Sequence, residues 1–104
     1  MAAETRDDAL IEAVTRAVLE QPGVAFLQPG IADLLRNRAR TPGSGVRVRR
    51  GTRGYAVELH VVLRRGYRAL DVTRRIRAAV QGTVAGRGDR TTPDRVTVTV
   101  VGVV

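Results

Sequence analysis

The chain has 104 residues and a mass of 11.2 kDa, the size of one small domain with one modest core. Apolar residues make up 43% of it, enough to pack despite a formal net charge of +8, which argues against disorder of the chain as a whole. With no cysteine and a single histidine, disulfides and the usual zinc sites are excluded as well.

All 18 basic residues are arginine and none is lysine. That usage is expected of a GC-rich, arginine-favouring coding background, so the charge alone does not select for a phosphate-bearing partner. No apolar run approaches the roughly 20 residues that cross a bilayer. The opening MAAETRDDALIEAV is acidic instead of a basic leader followed by a greasy stretch. A cytoplasmic protein is expected, spanning 1–104 as one domain with residues 1–6 disordered.

Residues 7–20 read as an amphipathic helix. Leu10, Val14, Ala17 and Val18 recur at three- and four-residue spacing, Ile11 widens the stripe, and Thr5 or Asp7 can cap the start. Pro22 and Gly23 end it, and Val24–Leu27 follows as a short apolar strand with Phe26 expected in the core. IADLLRNRAR can supply a helical turn or two before TPGSG breaks the chain, giving a flexible loop over 37–45.

A hairpin is expected next. Val46 and Val48 alternate with Arg47 and Arg49, and Val57, Leu59, Val61 and Leu63 alternate with Ala56, Glu58, His60 and Val62. Gly51 to Gly54 supply the turn. One face of the hairpin is then core, and the other carries Arg47, Arg49, Glu58 and His60. A second helix spans about Ala69 to Val84, with Val72, Ile76, Ala79 and Val80 inside and Arg74, Arg75 and Arg77 outside. After the polar AGRGDRTTPD, the valine-rich VTVTVVGVV closes the chain as a strand. The pattern predicts an α+β fold, a small two-layer sandwich in which two helices cover one face of a mixed sheet of about four strands. The helical crossover places the last strand parallel to its neighbour.

Catalytic chemistry is hard to assemble from these residues. The only serine, Ser44, lies in a Gly-rich loop and the only histidine is His60, with no third orienting group signalled. Asp7 and Asp8 suit a helix start better than an acid–base pair. No enzyme, metal, cofactor or small-molecule substrate is expected. Between positions 45 and 68, however, seven arginines stand against the single acid Glu58. Sequence-independent, salt-sensitive binding of nucleic acid, or of anionic lipid, through an arginine-rich sheet face follows as one reading. The scarcity of aromatics (Phe26, Tyr55, Tyr67) argues against base stacking.

Four stretches in order, QPGVAFL, GVRVRRGTRGYAVELHVVLRRGY, ALDVTRRIRAAVQGTV and DRVTVTVVGVV, resemble the bacterial alkaline shock protein family, also called the general-stress or envelope stress response family. With the first helix they cover residues 8–104. The resemblance implies a non-enzymatic cytoplasmic scaffold that self-associates and docks to a membrane-anchored protein, peripheral to the inner face of the cell membrane. It carries no catalytic residue over. The candidate partner-binding residues are Arg47, Arg49, Arg50, Arg64, Arg65, Arg68, Arg74 and Arg75. The candidate self-association residues are Val101, Val103 and Val104, at the end of a strand with no lysine or proline to blunt it.

Overall fold

The computed structural model describes residues 2–29, 45–51, 54–85 and 93–104. The expected helical turn after Pro29, nearly all of the 37–45 loop, and the AGRGDRTTPD connection as far as residue 92 lie outside the described residues. In chain order the elements are α1 (Ala2–Leu19), β1 (Val24–Leu27), β2 (Val46–Gly51), β3 (Gly54–Leu63), α2 (Ala69–Ala85) and β4 (Pro93–Val103). Helix–strand–hairpin–helix–strand is therefore the order found, and the class is α+β.

β3 organises the sheet. One of its edges carries two antiparallel partners laid end to end: β2 along its first half, from Gly51↔Gly54 to Val46↔Leu59, and β1 along its last residues, from Leu27↔Val61 to Val24↔Leu63. The junction falls at His60, whose N–H donates to the Gly45 carbonyl at 3.1 Å and whose carbonyl accepts from the Gln28 N–H at 2.9 Å. Gly45 reaches this position with φ +93°, and a Cβ there would stand 2.9 Å from the Gln28 carbonyl oxygen, so only glycine fits without displacement. The other edge of β3 pairs with β4, parallel as the helical crossover requires.

The covered face follows the alternation read in the sequence. Tyr55, Val57, Leu59, Val61 and Leu63 are buried, with Leu59 at 0% exposure. The helices lie on them through Leu10, Val14 and Val18 of α1 and Val72, Ile76, Val80 and Val84 of α2. Each set repeats every four residues, which stacks the side chains on one stripe of its helix. No polar or charged side chain is buried among the described residues, so packing of apolar groups is what holds this core.

Two element boundaries differ from the sequence reading. α1 begins at Ala2 instead of Asp7, so the stretch expected to be disordered is helical from Ala2 on, and Thr5 and Asp7 sit within the helix instead of capping it. Ala, Glu and Arg in AAETR are strong helix formers, so propensity carries the helix back past the polar start signal. β4 begins at Pro93 because Pro93 pairs with Tyr55, and the first residue of a strand tolerates proline.

A third difference concerns a side chain. Phe26 is 47% exposed, not in the core. Regular alternation would point it the same way as buried Val24, but the register shifts between them, Val24 facing Leu63 and Phe26 facing Val62. That bulge inserts one extra residue into β1 and turns Phe26 onto the opposite face.

Candidate interaction surface: the open sheet face and the free edge

Both described helices lie on one side of the sheet, and among the described residues no element covers the other face. The register arranges it in rows across the strands. Arg49, Ala56 and Arg95 form the first row, Arg47, Glu58 and Thr97 the second, and His60 with Thr99 the third. The fourth row is Phe26, Val62 and Gly102. The face therefore runs from arginine through polar groups to an apolar end. Its acid among the described side chains, Glu58, has its Oε1 3.6 Å from Nε2 of His60, and both groups are partly open to solvent. An ion pair in that setting contributes about 0–1 kcal/mol when the imidazole is charged.

The expected arginines do not form one surface. Arg47 and Arg49 lie on the open face as read. The backbone of Arg50 pairs with Tyr55, in the alternate register row from Arg47 and Arg49. Arg64, Arg65 and Arg68 are exposed just past the end of β3, where the Arg64 N–H donates to the Gly23 carbonyl at 2.7 Å and the Arg65 N–H to the Val104 carbonyl at 2.8 Å. Arg74 and Arg75 are exposed on α2, in the helix layer, and Nη1 of Arg75 reaches the Pro22 carbonyl at 3.5 Å. Arg95 joins Arg47 and Arg49 and was missed. The alternation Arg95, Thr97, Thr99 against Val96, Val98, Val100 would have found it had the strand been started before Val96.

β4 is an edge strand. It pairs with β3 on one side only, and no strand flanks its other side among the described residues. Eleven residues long, it leaves a row of backbone groups unpaired in the sheet. Its core-side valines Val96, Val98 and Val100 are only partly buried, packed against the edge of the core. Val101 falls at a register shift between Val61 and Val62, and Val101, Val103 and Val104 are exposed at 42%, 54% and 61%.

No group of three metal-ligating side chains occurs among the described residues, and Ser44 lies outside them. Nor is any described helix long and apolar enough to cross a membrane.

Among the described residues these features define a small two-layer α+β domain with one covered sheet face, one open face and one long edge without a partner strand. A family model matches residues 2–104, that of the alkaline shock protein 23 family, described as having a cell envelope-related function. The chain belongs to that family, which is not known as enzymatic. No curated protein and no solved structure matches the chain.

Proposed function

We infer that the protein is a scaffold of the cell envelope that assembles with itself along the free edge of β4 and uses its open sheet face to dock to a membrane-anchored protein. The free edge is the observation that carries this reading. An unpaired strand rich in valine recruits another strand because the backbone groups then find partners and the half-buried Val96, Val98 and Val100 lose their remaining contact with water. Arg47, Arg49 and Arg95 stand against one acid on the open face, which suits an acidic partner surface.

Analytical ultracentrifugation tests the assembly. The full chain at up to roughly 100 micromolar is expected to sediment above monomer mass, and Val101→Lys with Val103→Lys, which put charge beside the edge at exposed positions, to return it to monomer. A wild-type monomer throughout that range would refute assembly through β4.

A second reading rests on the same three arginines: sequence-independent binding of nucleic acid. Titration against short RNA and DNA separates the two. Sub-micromolar binding whose logarithm falls by several units per decade of salt favours nucleic acid. Phe26, three rows from the Arg49 and Arg95 pair, is the one exposed aromatic that the register places on this face, a poor base-stacking platform, so weak binding is expected.

A further inference from the structure

The exposed apolar side chains are not scattered. Every large one among the described residues sits at the same end of the molecule, where β3 and β4 finish. Leu19 closes α1 just before the turn into β1, and Phe26 faces Val62. Tyr67 lies in the connection from β3 into α2 and Leu70 in the first turn of α2, at 48% and 61% exposure. The last valines of β4 complete the set.

Backbone hydrogen bonds hold these segments together. The Arg64 N–H donates to Gly23, the Arg65 N–H to Val104, and the Val104 N–H to Leu63 at 2.9 Å. Gly23 has φ +92°, and a Cβ there would lie 2.8 Å from Cγ of Tyr67. The Tyr67 ring therefore rests on the Gly23 backbone and is held at the surface. Between the apolar groups stand exposed Arg64, Arg65 and Arg68, with Arg75 beside Pro22. Among the described residues the acids at this end are exposed Glu20 and half-buried Asp71 in the first turn of α2, so they leave a positive excess.

We propose that this end of the domain seats directly on an anionic lipid surface, with Leu70, Phe26 and Tyr67 entering the headgroup boundary and Arg64, Arg65 and Arg68 pairing with lipid phosphates. The mixture is what selects this occupant. Arginine alone would suit any polyanion and apolar groups alone any greasy groove, but exposed apolar and arginine side chains in one segment, Arg64 to Leu70, match a phosphate layer lying over hydrocarbon. Tyrosine at such a boundary keeps its ring in the apolar zone and its hydroxyl in the polar one. The family's envelope-related function puts the chain near such a surface, and with no spanning helix among the described residues, contact through this end is peripheral. A strand added to β4 takes up the last valines but does not involve Leu70, Phe26, Tyr67 or the three arginines, so lipid contact through those residues does not depend on the assembly inferred above.

The test is co-sedimentation of the purified full chain, with no other protein present, on phosphatidylcholine vesicles with and without phosphatidylglycerol. Binding is expected only to the anionic vesicles. Arg64→Ala, Arg65→Ala and Arg68→Ala together are expected to weaken it on the order of a hundredfold, about fivefold per arginine. Leu70→Ser, at an exposed position, is expected to weaken it several-fold with the circular dichroism spectrum unchanged. Arg47→Ala with Arg49→Ala, on the open sheet face, is expected to leave it within about twofold. No binding by the wild-type chain, or binding only once a membrane protein is reconstituted into the vesicles, would overturn the proposal in favour of a protein receptor. Equal losses from the two arginine sets would overturn it in favour of diffuse charge attraction. Each outcome is independent of the sedimentation result obtained without lipid.

Discussion

The two faces of β3 share one backbone and ten residues, yet they have opposite characters. Tyr55, Val57, Leu59, Val61 and Leu63 point into the helices and are buried, whereas Ala56, Glu58 and His60 point away and keep contact with water. Val62 breaks the pattern: it lies on the open face and is only 3% exposed, flanked across the strands by Phe26 and Gly102. The difference teaches that the open face is not uniformly a solvated surface. Its arginine end has no covering layer among the described residues and keeps Arg49 and Arg95 exposed, while at its apolar end Val62 is buried and Phe26 stays outside. One face holds the fold, and the other, with the edge beside it, is available for contact.

The largest effect that would break this comparison comes from the covered face. Leu59→Ala removes a fully buried side chain between β3 and the helices and is expected to cost about 2–5 kcal/mol in urea unfolding. A loss below about 1 kcal/mol would mean that the face is less tightly packed than described. On the open face, Phe26→Ala is expected to cost only about 1 kcal/mol, since nearly half the side chain is already in water. A loss as large as that of Leu59→Ala would place Phe26 in the core after all and remove the bulge in β1. The smallest effect is expected at the arginine end, where Arg47→Glu with Arg49→Glu should move stability by no more than about 0.5 kcal/mol. The same pair is expected to weaken co-fractionation with the host envelope if these residues dock to the membrane-anchored partner, the lipid contact through Arg64, Arg65 and Arg68 remaining. Unchanged co-fractionation would make them a solvated surface.

Much of this was legible in the sequence because the signals were periodic. Period-two valines gave both hairpin strands and their facing, and four-residue spacing gave the stripes of both helices. The parallel placement of β4 followed from the helix that must lie between it and β3. What escaped has local causes. A bulge leaves no mark in the composition of VAFL, so Phe26 was assigned to the wrong face. The helix-forming AAETR at the start is polar, and its helicity was masked by the stronger capping signal of Asp7. The site was less legible still, because arginines close in sequence part company in space. Arg49 and Arg50 fall in alternate register rows, while Arg95, distant in sequence, is brought beside Ala56 by a ladder that no short-range pattern encodes.

The central claim is that the outer edge of β4 is a site of self-association, and amide hydrogen exchange across that strand tests it most directly. In a monomer, alternate amides between Arg95 and Val101 point away from β3 and exchange rapidly, whereas those bonded to β3 are protected. With β4 paired to a second copy, the outward amides are expected to exchange at least about tenfold more slowly in concentrated than in dilute wild-type protein, because edge pairing gives them partners. Rapid exchange of the same amides at both concentrations would contradict it.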